Sequence, residues 1–582
     1  MAELPEFSSV KDLRYGRDPY FDAWLLHFMT ENDLGHFANP RENASPEQMR
    51  FMVVLDDNQV FAPCSDEMLR CLLEGEVTDL LLGAYREAWR SMVLLVRANI
   101  SDTYQRRKIV ALCRHKFRRV LSSPFLIPSR MLKRLLTILL TQSALVDPLR
   151  EEKKLHNERA CHFVNSRALD RFLNACPEDS LGCSRIEDLR WELDLLVLSR
   201  LLSLSTQKDI WTRENFDIES LTLEEVRRIS PSFEPILTRL LGPGRSGPLK
   251  ILFLPDQSGG VVIDMRIIQS LLRQGHRVIL ALKEEFFFHA PTFWDREHDP
   301  CLRRLTEGAM FLPDSQISKN SLLQALREHR LLVISDGSRE RLNLYRTSVT
   351  FARAWKESDL VIAKGEPNYR RLILNSNEFT RDILSYYRDK NGVLQLHYKP
   401  CSPSVHKFSE RELLYLAENV IRDMRAARSA GKNVMFYSAI IGSIPGQTET
   451  AITILTTFIN YLRDRLENTF IINPAEQFEP GLDADDLMYM WEKVQRSGLI
   501  DVWRFQTVED IEKSFHLLGQ KVPPIWTGKD ATFSTGCTKE MNIALEMQQR
   551  QPELQIIGPS PEKFFRRREY GVGKFFDVSI ER

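Results

Sequence analysis

Long apolar runs are missing from this chain of 582 residues. A membrane-crossing helix needs about 18 or more consecutive apolar residues, and the most apolar stretch, around Leu135 to Val146, is bracketed by Lys133, Arg134 and Asp147. A membrane span is therefore not expected. Met1 to Asp22 mixes acidic and basic residues without an apolar centre, so a secretory signal is not expected either, and a cytoplasmic location is. Net charge is also lacking, because Lys plus Arg and Asp plus Glu both total 79. With no global basic field, neither nucleic acid nor an anionic membrane surface is an expected partner. Cysteine is sparse. Nine residues with no C-x-x-C pair suit a reducing compartment better than a disulfide framework or a zinc ribbon, and the spacing of Cys176 and Cys183 fits no common zinc pattern. Fixed-period repeats and low-complexity tracts are absent too.

What is present is the composition of a folded protein, 43% hydrophobic and 27% charged, with a length that calls for two or three domains. From Tyr20 to about Leu241 apolar residues recur at three- and four-residue spacing, which predicts an all-helical domain over residues 1–241. Helices are expected at 80–97, 106–121, 129–141, 186–202 and 223–228, with Ser129 and Thr222 as N-caps. The basic run Arg106, Arg107, Lys108, Arg114, Lys116, Arg118 and Arg119 reads as a solvated helix face or a phosphate-binding one. Gly and Pro crowd residues 242–248, marking a boundary. Beyond it, apolar runs at 249–254, 277–282, 331–334 and 360–363 alternate with helical patterns, spelling an α/β domain over 249–405 with a Rossmann-like, three-layer parallel sheet. After Pro400 the pattern restarts. A helix from Glu410 to Ala430 closed by Gly431, a strand at 434–441 and later elements predict a second α/β unit over 406–582.

Ligands of parallel sheets bind beyond the carboxyl ends of the strands, and three predicted strands end in polar residues. The first leads into Asp256-Gln257-Ser258-Gly259-Gly260, where a carboxylate and small residues before a helix suit a metal or a phosphate, or a plain capped turn. Another delivers Ser335-Asp336-Gly337. The last runs into Lys364-Gly365-Glu366-Pro367-Asn368-Tyr369-Arg370, where lysine can act as a point charge on phosphate and Gly365 lets backbone approach closely.

Together these residues resemble the damage-control phosphatases of the ARMT-like, DUF eighty-nine group. The resemblance covers about 249–405 and rests on Asp256-Gln257-Ser258-Gly259 with Asp264, the 277–283 strand, Asp336-Gly337, and above all Lys364-Gly365-x-x-Asn368-Tyr369-Arg370. It implies a metal-dependent phosphatase acting on phosphorylated small metabolites such as sugar phosphates. Asp256 and Lys364 would be catalytic, with Ser258, Gly259, Asp336, Gly337, Lys364 and Asn368 binding substrate. The family's divalent ion (manganese, nickel, cobalt or magnesium) would lie on Asp256 and on Gln257, which stands where Asn is usual. The family's second carboxylate falls at Ala290, so His289 or Asp295 is the expected substitute. Those departures leave open a catalytically degenerate binding or interaction protein on the same fold, and the resemblance names no protein partner.

Two features lie outside the resemblance. Ile441-Gly442-Ser443-Ile444-Pro445-Gly446-Gln447-Thr448 has the placement of a phosphate loop but carries Gln447 where Lys belongs, so an ordinary turn is the competing reading. Cys537, expected at a helix N-terminus beside Lys539, is either a reactive thiolate or an inert capping-region residue.

Overall fold

The structure, a computed structural model, describes residues 9–35, 44, 46–56, 58–74, 77–175, 186–216, 229–244, 247–444, 446–477 and 481–565. The helix expected at 223–228 with its Thr222 cap lies outside the described residues, as do Cys176 and Cys183. The chain forms two compact units, divided between Pro403 and Ser404.

In the first unit helices precede the sheet. Asp79–Asn99 begins where the Thr78 hydroxyl accepts the Leu81 N–H, and Thr103–Ser122 where Asp102 accepts from Tyr104 and Gln105. Ser129 is not a cap. The third of these helices, Pro128–Ser143, starts one residue earlier, because proline at the first helical position has no N–H to satisfy and its fixed φ suits the helix. On Thr103–Ser122 the buried positions are Ile109, Cys113 and Val120, while Arg107, Lys108, Arg114, Lys116, Arg118 and Arg119 are exposed, the arrangement of a solvated face.

The sheet contains seven strands: β1 (Lys250–Leu254), β2 (Arg277–Leu282), β3 (Met310–Leu312), β4 (Leu331–Ser335), β5 (Leu360–Lys364), β6 (Asp382–Arg388) and β7 (Leu394–Lys399). Their order is β3-β4-β2-β1-β5-β6-β7, parallel throughout except for the antiparallel β6–β7 hairpin. Successive side chains of a strand point to opposite faces, and here both faces are buried. Leu252, Leu254, Ile279, Ala281, Val361 and Ala363 pack in one core with Tyr85, Leu135 and other residues of the early helices. Ile251, Phe253, Val278, Leu280 and Ile362 pack in a second with Val262 and Ile263 of the Gly260–Arg273 helix and with Trp211 and Leu237. Burial on both faces explains why the parallel strands read as unbroken apolar runs. It also means that residues before and after the 242–248 segment share their cores, and that segment lies inside the first unit.

The second unit carries a smaller parallel sheet, ordered β11-β10-β8-β9, from β8 (Asn433–Ser438), β9 (Thr469–Ile472), β10 (Val502–Phe505) and β11 (Gln555–Ile557). Its first helix, Glu410–Ser429, opens with a Ser409/Glu412 capping box and is followed by Gly431 at φ 75°, a left-handed position that glycine takes without a Cβ clash. The α/β class therefore holds in both units. No helix among the described residues is long and apolar enough to cross a membrane.

Cysteine chemistry departs from expectation at one pair. Cys161 and Cys301 form a disulfide, joining the Arg150–Val164 helix to the Pro300–Leu305 helix across 140 residues of sequence. Closing so long a loop restricts the unfolded chain, and loss of such a bond costs roughly 2–4 kcal/mol. Cys301→Ser should lower the unfolding free energy of the first unit by that amount, read as a lower denaturant midpoint at unchanged slope, and abolish its response to reductant. Equal midpoints for wild type with and without reductant would count against the bond.

Candidate functional site

The strand order reverses between β1 and β5, the point at which ligands of such sheets bind. From β1 the chain moves to β2, β3 and β4 on one side and then returns to β5 on the other, so the connections leaving β1 and β5 diverge. Asp256 follows β1 and Lys364 ends β5, on neighbouring parallel strands with Leu254 paired to Ala363. The Lys364 ammonium lies 3.1 Å from Asp256 Oδ1 and donates to both Asp264 oxygens at 3.0 Å. Asp264 comes from the helix after β1, and Tyr386 of β6 donates its hydroxyl to Asp264 at 3.3 Å. The Lys364 and Asp264 side chains have no exposed surface, while that of Asp256 is 25% exposed.

Burial sets the protonation of this cluster. It pushes the Asp264 carboxyl up to about 7, with Lys364 pulling it back and Asp256 adding to the rise. Burial also works to lower Lys364, but the two carboxylates outweigh it and hold the ammonium above the usual lysine value. Lys364 is thus a charged group already embraced by carboxylates.

The turn after β1 is likewise satisfied from within. Ser258 N–H donates to the His289 carbonyl at 2.7 Å, and Gly259 N–H to Asn157 Oδ1 at 2.5 Å. Of the Gly259 and Gly260 amides expected to approach an anion, that of Gly259 thus already has a protein acceptor, as does the Ser258 amide, although the buried Ser258 hydroxyl has none among the described residues. Gly259 is required by both conformation and space: its φ is 78°, and a Cβ there would lie 2.3 Å from Cγ of Trp211. Gly365, at φ 95°, passes close against Asp256. Asn368 donates to the Lys364 carbonyl at 2.8 Å, fixing the β5 terminus.

Asp336 and Gly337 stand apart from this cluster. They follow β4, which β2 separates from β1. Asp336 is buried against Lys283 at 2.5 Å and takes hydrogen bonds from Ser338, while Gly337 packs against the Ser348 backbone. A single cleft uniting Asp336 with Asp256 and Lys364 is not formed by side-chain contact.

The two expected replacement ligands also point elsewhere. Asp295 accepts from Lys153 at 2.9 and 3.0 Å and from Thr292, because the nearly buried Lys153 ammonium, also 2.6 Å from Asp147, requires counter-charge. His289 turns its ring to Glu152, with Nε2 and Oε1 3.1 Å apart, and only its carbonyl reaches the β1 turn. Its ring stacks on His156 at a centroid distance of 5.6 Å. Glu152, His156 and His289 bring three ligand atoms within 4.8 Å of one another, a set able to hold a metal ion. Burial first, and then His289, lower the His156 pKa and favour the neutral ring. Sequence reasoning missed Glu152, His156 and Asn157. The Glu-x-x-x-His spacing was the available signal for the first two, since residues four apart share a helix face.

In the second unit Gln447 accepts from the Trp526 indole at 3.1 Å, so the residue standing where a phosphate-loop lysine belongs is engaged in packing. Cys537 is buried in the first turn of Thr535–Arg550, its sulfur 3.3 Å from the Ala439 carbonyl. That is the environment of a structural thiol.

Comparison with known proteins adds the following. The profile of the damage-control phosphatase ARMT1-like domain matches residues 65–405. No curated protein matches the chain. Among solved structures, a DUF89 family protein from Pyrococcus horikoshii is 19% identical, with 54% of this chain and 92% of that one covered and a TM-score of 0.37.

The Asp264 carboxyl generates a pH prediction. Its folded value of about 7 lies above the ordinary 3.8, so across that window the native state keeps a proton that the unfolded chain has lost. This contribution to stability is present below the window and is lost as pH rises through it. Asp264→Asn should flatten the decline, as read from urea midpoints at the two ends of the window. An unchanged slope would assign it to another group.

Proposed function

The chain belongs to the damage-control phosphatase ARMT1-like family, and from that membership we propose that it binds and hydrolyses a phosphorylated small metabolite at the reversal of strand order between β1 and β5. The observation that carries this reading is the buried Lys364 ammonium against Asp256 at the point where the strand connections diverge. Asp256 is the solvent-facing member of the cluster and thus the group an incoming phosphoryl meets first. Lys364 supplies the positive charge that offsets it; Asp264, itself held by Tyr386, fixes the ammonium, and Asn368 fixes the Lys364 backbone carbonyl. A cytoplasmic setting accompanies this reading. It rests on the unpaired buried thiols of Cys64, Cys71, Cys113 and Cys537, and the Cys161–Cys301 bond counts against it.

Family chemistry uses a divalent ion that polarises a phosphoryl oxygen and activates water. The residues at the family's ligand position do not fit that ion. Ala290 has no donor atom, Gln257 carries its carboxamide one methylene too far, and Asp256 is already in contact with Lys364. We assign no metal-assisted step to them. The same mismatch favours a second reading, in which the same site binds a phosphometabolite without cleaving it.

Phosphate release from sugar phosphates and an aryl phosphate, with and without manganese, cobalt or nickel, decides between the two. A catalytic protein should lose turnover in Asp256→Asn. Lys364→Ala is the poorer probe, since removing the cation leaves two carboxylates unpaired at a cost of roughly 3–5 kcal/mol. If wild type is inert and the double variant Gln257→Asn/Ala290→Asp gains activity, the non-catalytic reading holds. Failure of both proteins to release or bind phosphate would sink the phosphometabolite assignment.

A further inference from the structure

We propose that Glu152, His156 and His289 form a binding site for one divalent transition-metal ion of the zinc, nickel or cobalt class, at a place distinct from the Asp256 position. Ligand atoms each about 2.1 Å from a common ion lie at most about 4.2 Å apart. Glu152 Oε1 is 3.1 Å from His289 Nε2 and 3.9 Å from His156 Nε2, and all three atoms fall within 4.8 Å, so a small inward shift completes the set. Two imidazoles with one carboxylate suit borderline ions, whereas magnesium and calcium prefer oxygen alone.

The three groups are held in place by backbone as well as by one another. Glu152 and His156 are four residues apart on the Arg150–Val164 helix and share a face. The next residue, Asn157, locks that helix to the turn after β1 through Gly259 and to Asp299 at 2.7 Å. His289 is presented from the other side by a loop in which Phe288 adopts φ 50°, a left-handed conformation that is costly for a bulky residue. The Ser258–His289 hydrogen bond fixes the same loop. His156 is nearly buried, while the side chains of Glu152 and His289 are 48% and 37% exposed, which leaves one side of the ion open to water or an anionic oxygen. The Glu152–His289 pair accounts for one contact, and His156 brings a second imidazole nitrogen to 3.9 Å from the same carboxylate oxygen; to share an ion the two rings must tilt so that both nitrogens face it.

The test uses the full chain, stripped with a chelator and titrated with zinc, nickel and cobalt by calorimetry, with visible absorption followed for cobalt. One ion per chain is expected. Glu152→Gln and His289→Ala, both partly exposed positions whose apo unfolding midpoints can be checked, should each weaken binding by more than about 100-fold, beyond the loss caused by removing an outer hydrogen-bond partner. The cobalt bands should disappear in His289→Ala and persist in Asp256→Asn. Three results would overturn the proposal: no binding to stripped wild type, binding that neither Glu152→Gln nor His289→Ala weakens, or binding abolished by Asp256→Asn while His289→Ala retains it.

Discussion

A lysine ammonium with no exposed surface organises the first unit. Such a charge is tolerated only when anionic and hydrogen-bonding partners surround it, and each partner of Lys364 comes from a different element. Asp256 comes from the turn after β1, Asp264 from the Gly260–Arg273 helix and Tyr386, through Asp264, from β6. The cluster therefore ties the order β1-β5-β6 and the docking of that helix to one charge requirement. Apolar packing on both sheet faces provides bulk stability, but a slipped strand would strand a charge as well as lose contacts.

This dependence explains what could be read from the sequence. The strands β1, β2, β4 and β5 were legible as apolar runs, and Asp256 and Lys364 were legible because they sit at strand ends where ligands gather. β3 opens on the exposed Met310 and β10 carries Arg504 among its four residues, so neither stands out as an apolar run, whereas the equally short β9 and β11 do. The β6–β7 hairpin did leave a sign in Asn391-Gly392, with Gly392 at φ 75°. Asp295 looked like a ligand because its partner, Lys153, lies 142 residues earlier. Glu152, His156 and Asn157 were hidden for the same reason. Their helix shows locally only the Glu-x-x-x-His spacing of the first two, and its alignment with the β1 turn is a property of the fold.

Family membership spans 65–405 and so crosses the Gly/Pro segment at 242–248 that seemed to separate two domains. The shared cores supply the physical reason, since the early helices cover faces of the sheet that would otherwise be open to water. The second unit lies beyond the match. At the ends of β8 and β10 Gln506 accepts from the Ile440 N–H while its buried Nε2 has no partner among the described residues, and the Trp503 indole donates to Ser438. Glu540, buried nearby, is pushed up to about 7 by that burial.

Gly259 and Trp211 bear on how this site can diverge. The indole occupies the space a Cβ at 259 would need, and it also lies over the Lys364 ammonium at 6.0 Å. Neither position is free to vary alone. A side chain at 259 demands a smaller residue at 211 and a different backbone, while shrinking 211 by itself opens a void above the lysine. Sequence drift at this buried contact must therefore proceed by paired replacement, and a descendant that changed both would repack the surroundings of the lysine in one step.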